Sequence, residues 1–310
     1  MKQPLDLDIV VISWLPSLYS NTRFIAEGNK NNLKIKILSP FEITLEHSKK
    51  YSQIPHILRI GDFRYHETIS HLQQFDLNYI NNILSFTKYR NKMTTYKIWS
   101  KEQIPFPETY TLSFSTNEIL NSQLETIDEI KKNNISLLYG KIQNLFIHSK
   151  NNSKPIEFKA SRGSEPFVLK HPYGLKGKNV HLIKTPSELE TYSQNADYLI
   201  LQKYHPECYG VDYRTFLIQD QIFTIQRTNP NDFRSNLSLG ATAKAFQLSS
   251  SEINQCKNIF KLSGLCYAGI DMIQTNEGAK FLEINVSPGF EGIEKNYGVN
   301  IAKLIFSNTL

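Results

Sequence analysis

The chain has 310 residues, 40% hydrophobic and 21% charged, with 35 Lys and Arg against 29 Asp and Glu and a formal net charge of +6. This is an ordinary globular balance, and the length suits two or three packed subdomains rather than one minimal core. No apolar run approaches the ~18 residues that a membrane helix needs, and no basic-aromatic motif points to nucleic acid.

Met1 to Asp8 carries acids and leads into a strand, unlike a signal peptide, so a cytoplasmic location is expected. Residues 8–14 form an apolar run typical of a buried strand. Ser20 to Lys30 reads as a helix, Leu33 to Leu38 alternates as a second strand, and His56 to Gly61 is a third. This β-α-β opening predicts a small α/β domain with a parallel sheet. It lacks a glycine-rich turn after the first strand, which argues against a dinucleotide site.

Tyr89 to Glu102 reads as one helix, stopped by Ile104-Pro105-Phe106-Pro107. A helix over Thr116 to Lys132 and strands over Leu137 to Ile147 and Pro155 to Lys159 are expected next. Two short apolar strands, Phe167 to Lys170 and Tyr198 to Gln202, flank a helix at Pro186 to Ser193. Val211 to Gln219 and Ile222 to Thr228 form a hairpin turning at Asp220-Gln221. Ser250 to Leu262 is a helix ended by Gly264, and Tyr267 to Thr275 pairs with Lys280 to Val286.

The second hairpin carries the clearest chemistry. A three-residue loop at residues 276–278 sets Asp271 opposite Glu283, with Cβ atoms roughly 4.5–5.5 Å apart. Asn285 falls on the same face. Facing carboxylates repel unless a cation lies between them, and two carboxylates with an amide oxygen are hard donors suited to Mg²⁺. Ile270, Met272, Leu282 and Ile284 point the other way. A solvated face with chance acids is the plainer alternative. In the first hairpin the expected turn sets Arg214 opposite Arg227 and Asp212 opposite Asn229, all on one face. Opposed arginines call for an anion between them, unless water separates two exposed side chains.

Lys170 ends its strand before Tyr173-Gly-Leu-Lys-Gly-Lys-Asn179, a loop whose amides and lysines can close over phosphates. It is not the Walker pattern, and a lysine-rich surface loop is the bland reading. Asp232 to Leu237 is a compact polar run. His171, His181 and His205 lack metal-ligand spacing and read as structural. The odd count of three cysteines, Cys208, Cys256 and Cys266, fits buried thiols in a reduced protein. The positive charge reflects surface lysines or an attraction for nucleotides or an acidic acceptor.

In this order the pieces resemble the ATP-grasp superfamily, and within it the RimK-like glutamate ligases. The resemblance runs through Leu18-Tyr-Ser20, Arg59-Ile-Gly61 and Asn91-Lys92. It is tightest at Asp232-Phe-Arg-Ser-Asn-Leu237 and Phe281-Leu-Glu-Ile-Asn-Val-Ser-Pro-Gly-Phe-Glu-Gly-Ile-Glu-Lys295. It implies a mixed α/β and α+β chain with the ATP-grasp fold. A Rossmann-like N-terminal domain would cover residues 1–90. A central lid subdomain would cover 91–203, with an extra hairpin near 135–163. An antiparallel-sheet subdomain with the metal site would cover 204–310.

The resemblance also implies ATP with Mg²⁺ or Mn²⁺, as two ions. Lys92 and Lys170 would hold phosphates, and Gly174 and Gly177 would form the lid. Lys203 and Tyr204 would receive adenine through backbone atoms, with Asp212 at the ribose and Arg234, Ser235 and Asn236 lining the nucleotide. Asp271, Glu283 and Asn285 would ligate metal, with Glu283 bridging. Arg214 and Arg227 would bind the transferring phosphoryl group. The implied activity joins a carboxylate to an amine through an acyl phosphate, with glutamate added to a peptide, protein or small-molecule acceptor. Relatives that close lactams or esters within peptides, and a nucleotide binder without turnover, are the alternatives. Three departures stand out. Lys203 replaces the usual Glu, Tyr173 and Asn179 replace lid residues, and the stretch between Pro107 and Lys170 is long, with the excess near Ile135 to Gly163. The acceptor, the general base and homo-oligomerisation are left open.

Overall fold

The computed structural model describes residues 6–61, 65–113, 166–174, 177, 179–193 and 198–309. The elements expected over 116–159, and the extra hairpin near 135–163, lie outside the described residues.

The first sheet is parallel, in the order β2-β1-β3-β4. It comprises β1 (Ile9–Ile12), β2 (Ile35–Leu38), β3 (Pro55–Leu58) and β4 (Asn78–Ile80). Its central strands β1 and β3 are buried throughout, as strands covered on both faces are. Helices α1 (Tyr19–Lys30), α2 (Leu45–Tyr51) and α3 (Tyr65–Leu72) are its connections. The third strand ends at Leu58 rather than Gly61. Residues 59–61 instead run on toward a cavity, with Arg59 N–H still donating to Ile12 O at 2.9 Å.

The helix expected over Tyr89 to Glu102 is two, α4 (Ile83–Arg90) and α5 (Lys92–Lys101). Asn91 separates them because its side chain accepts from Met93 N–H and Thr94 N–H, satisfying first-turn donors of α5. The second sheet has the order β5-β8-β6-β7 and is antiparallel. Its strands are β5 (Thr109–Ser113), β6 (Phe167–Lys170), β7 (Val180–Ile183) and β8 (Tyr198–Lys203), with α6 (Pro186–Ser193) between the last two.

The third sheet, β11-β10-β9-β12-β13, is also antiparallel. It contains β9 (Val211–Ile218), β10 (Gln221–Thr228), β11 (Thr242–Phe246), β12 (Tyr267–Thr275) and β13 (Gly278–Asn285). Helix α7 (Ser250–Ser263) packs behind it. A Ser249–Glu252 capping box starts that helix, and Gly264 ends it in the left-handed conformation. Two short helices close the chain, α8 (Glu291–Tyr297) and α9 (Ile301–Phe306).

Asn81, fully buried, ties the first sheet to the third. Its amide donates to Tyr267 O and Val286 O, and its carbonyl accepts from Cys266 N–H and Tyr267 N–H. The three thiols are unpaired. Cys256 is buried as expected, but Cys208 is half-buried and Cys266 is exposed. Among the described residues no helix is long and apolar enough to cross a membrane.

Candidate active site

A cavity of about 520 Å³ opens where the three sheets meet. All the expected site residues line it, from Lys92 and Lys170 through the lid glycines to Asp271, Glu283 and Asn285.

Asp271 faces Glu283 across β12 and β13, as expected, but by a different route. The loop is the two-residue Asn276-Glu277, which pairs Thr275 with Gly278. A bulge between Asp271 and Met272 then restores the register. One strand gains a residue there and bends. The bulge turns Phe281 into the core and Leu282 toward the cavity, correcting the expectation that Leu282 points away. Asn285 sits opposite Gly269, and its Oδ1 accepts from Ser287 N–H.

The β9–β10 register differs from expectation by two residues. The turn is Gln219-Asp220, with Gln219 at φ +50°, and Arg227 therefore pairs with Asp212 rather than Arg214. A shift of two keeps each side chain on its face but changes its partner. The arginines are thus not opposed, and the anion between them is a protein carboxylate. Arg214 donates to both oxygens of Asp271, from Nε at 2.7 Å and Nη2 at 2.5 Å. Arg227 forks onto Asp212, with Nε at 2.6 Å, and also reaches Asp271 at 3.0 Å. Burial disfavours the Asp271 charge, yet Arg214 and Arg227 outweigh it and hold the carboxyl well below the usual range. Burial pushes Asp212 upward against the pull of Arg227.

A carboxylate offers about four lone-pair positions. The three donors on Asp271 leave one for a further partner. Glu283 is less engaged: Lys92 Nζ lies 3.1 Å from one oxygen and Arg214 Nη2 4.0 Å from the other. Two facing carboxylates and an amide oxygen on one cavity wall fit a hard divalent cation with incomplete protein ligation. Among the described residues no group of three His, Cys, Asp or Glu could hold a metal ion.

Lys92 Nζ, in contact with Glu283, also donates to Gly174 O at 2.9 Å. Lys170 donates to Gln202 Oε1 at 2.6 Å, and Gln202 continues to Thr109 Oγ1. Gln202 was visible in sequence only as the end of a strand. Gly177 has φ +72°, a conformation that favours glycine, and it lies beside the Asn236 side chain. Arg234 donates to Gly177 O at 3.1 Å while forking onto Asp232. The amides of Lys203 and Tyr204 donate to Glu108 O and Pro166 O, and both residues line the cavity. Asp212 also lines the cavity and accepts two hydrogen bonds from Arg227.

Burial draws Lys170 down to about 8, with Glu283 opposing and Lys92 assisting. The unfolded chain holds that proton up to the ordinary lysine range near 10.5, so this group's contribution to stability rises between about 8 and 10.5. Phosphate binding at Lys170 should therefore weaken from pH 7 to pH 9.5. Arg stays charged throughout. In Lys170→Arg, calorimetric titration with ATP should show a flatter pH profile than wild type. Identical profiles would remove Lys170 from the phosphate contacts.

Residues 130–308 match the profile of the RimK-like ATP-grasp domain. The probable alpha-L-glutamate ligase of Legionella pneumophila strain Paris is 26% identical over 317 residues, covering 96% of this chain and 93% of its own. The crystal structure of D-alanine–D-alanine ligase from Bacillus anthracis has TM-score 0.63 at 16% identity, covering 98% of this chain and 96% of that one. The ATP-grasp ligase PsnB, complexed with minimal precursor, Mg and ADP, has TM-score 0.60 at 15% identity, with both chains fully covered.

Proposed function

The chain belongs to the RimK-like ATP-grasp family and is an ATP-dependent ligase; on that premise we propose that it adds L-glutamate, or a similar amino acid, to an acidic peptide, protein or small-molecule acceptor. The observation that carries this reading is the cavity wall on which Asp271 faces Glu283, set against Lys92 and Lys170. Relatives named probable alpha-L-glutamate ligase support the choice of amino acid, and the structural neighbour PsnB, complexed with a precursor peptide, supports an extended acceptor.

In this reading ATP lies between the second and third sheets, with Lys92 and Lys170 on its phosphates. Asp271, Glu283 and Asn285 would hold Mg²⁺, which would supply charge neutralisation at the ATP phosphates. A substrate carboxylate attacks the γ-phosphorus, forming an acyl phosphate and ADP. Arg214 orients Asp271 and reaches toward Glu283, placing positive charge beside the transferring group. Arg227, buried beneath it, holds Asp212 and Asp271 in place. Gly174 and Gly177, tied by Lys92 and Arg234, exclude water from the intermediate. An amine then displaces phosphate from the acyl carbon.

ADP release and mass spectrometry test this directly. With MgATP, L-glutamate and a triglutamate peptide together, ADP and a product longer by one glutamyl residue are expected. ADP formed without a new amide would indicate idle hydrolysis and count against the reading. A peptide that loses water without gaining glutamate would indicate internal ring closure instead.

A further inference from the structure

The parallel sheet order β2-β1-β3-β4 reverses direction between β1 and β3. Open α/β sheets bind ligands in the crevice beyond the carboxyl ends of the strands at such a switch point. Here Ser13 and Trp14 leave β1, Arg59 leaves β3, and all three line the cavity together with Tyr19 and Ser20 of α1. The 12-residue α1 begins without a side-chain cap and without an acid in its first turn. Among the described residues, the amides of Tyr19 and Ser20 form no hydrogen bond. Uncapped amides and the helix dipole favour an anion at this point.

Arg59 is the independent observation. It is only 7% exposed. Its Nη1 donates to Pro288 O at 3.0 Å and its guanidinium lies against the Tyr267 hydroxyl, but no carboxylate of the described residues pairs with it. A buried cation without a counter-charge is costly. Arg214, Arg227 and Arg234 in the same cavity each have a carboxylate. Pro288 follows Asn285 by three residues, so the crevice lies within ~11 Å of chain from the expected metal ligands.

We propose that Arg59 and the first-turn amides of α1 form a subsite for a substrate carboxylate that is not the one phosphorylated. This rests on the ligase reading above. The activated carboxylate becomes an acyl phosphate and then a neutral amide, whereas a buried guanidinium needs an anion that stays charged through the cycle. The substrate held here therefore carries a second carboxylate, supplied by the amino acid or by the acidic end of the acceptor.

Thermal-shift titrations with L-glutamate, triglutamate and glutarate, in saturating MgADP, test this on wild type, Arg59→Met and Arg59→Lys. A saturable rise in wild type is expected with at least one ligand, weakened at least tenfold in Arg59→Met and partly kept in Arg59→Lys. The stabilisation by MgADP should be retained in both variants, which controls for folding. A response to L-glutamate alone assigns the carboxylate to the amino acid, and one to triglutamate alone assigns it to the acceptor. An Arg59-dependent response to glutarate alone keeps the subsite but removes glutamate as the substrate. A flat wild-type titration with all three, or an undiminished response in Arg59→Met, overturns the proposal.

Discussion

Glu283→Gln should lower ligase turnover at least about a hundredfold while leaving the fold intact, because electrostatic stabilisation by a bound cation is worth several kcal/mol in the transition state. The side chain is 28% exposed and its contact is to Lys92, which keeps its bond to Gly174 O after the change. Stability should therefore move by no more than about 1 kcal/mol. Gln keeps the shape and one oxygen donor but removes the charge. Mn²⁺ binding followed by electron paramagnetic resonance gives a readout apart from activity, and affinity in the presence of ADP should fall with turnover. Wild-type turnover at saturating Mg²⁺, or unchanged Mn²⁺ affinity, would sink the assignment of Glu283 as a metal ligand.

The pairing of Asp271 with Glu283 was legible because alternation along β12 and β13 leaves few choices of face. The expected loop was one residue too long, and the bulge at Asp271/Met272 cancelled the error at the site. A bulge leaves little trace in a hydrophobic pattern, so the exchange of Leu282 for Phe281 in the core could not be read. In β9 and β10 no bulge intervenes and the two-residue error persists. Its cause is Gln219 at positive φ, a position where Gly, Asn or Asp is the ordinary signal. Because side chains alternate with period two, Asp212, Arg214 and Arg227 were still placed on one face. What the sequence could not show was that Asp271 supplies the anion between the arginines, since that contact crosses from β12 to β9, far apart along the chain. The break at Asn91 was hidden for a related reason: an Asn cap inside an otherwise helical stretch looks like one more polar position.

Arg227→Met should be the most destabilising single change at the site. Arg227 is 2% exposed and bridges Asp212 and Asp271, themselves buried. Removing it leaves Asp212 without its counter-charge and Asp271 with Arg214 alone, and breaking a buried pair by deleting one partner costs about 3–5 kcal/mol. That is a large part of the 5–15 kcal/mol typical of a folded protein, and on the order of 10 °C in Tm is expected. Arg227→Lys should lose less, since charge remains, but one ammonium cannot fork onto two carboxylates. The deficit should also depend on pH. In wild type the Asp271 carboxyl is held below its ordinary value, so its stabilising contribution is present above the usual carboxylate range and lost as pH falls through and below it. Without Arg227 the burial that already pushes Asp212 upward acts with less opposition, and that acid gains a proton more readily in the folded chain. Melting curves at pH 7 and pH 4.5 should therefore show wild type and Arg227→Met drawing closer in acid. A Tm within about 2 °C of wild type at pH 7, or a gap that widens as pH falls, would show that the Asp212–Arg227–Asp271 bridge does not hold this face of the sheet together.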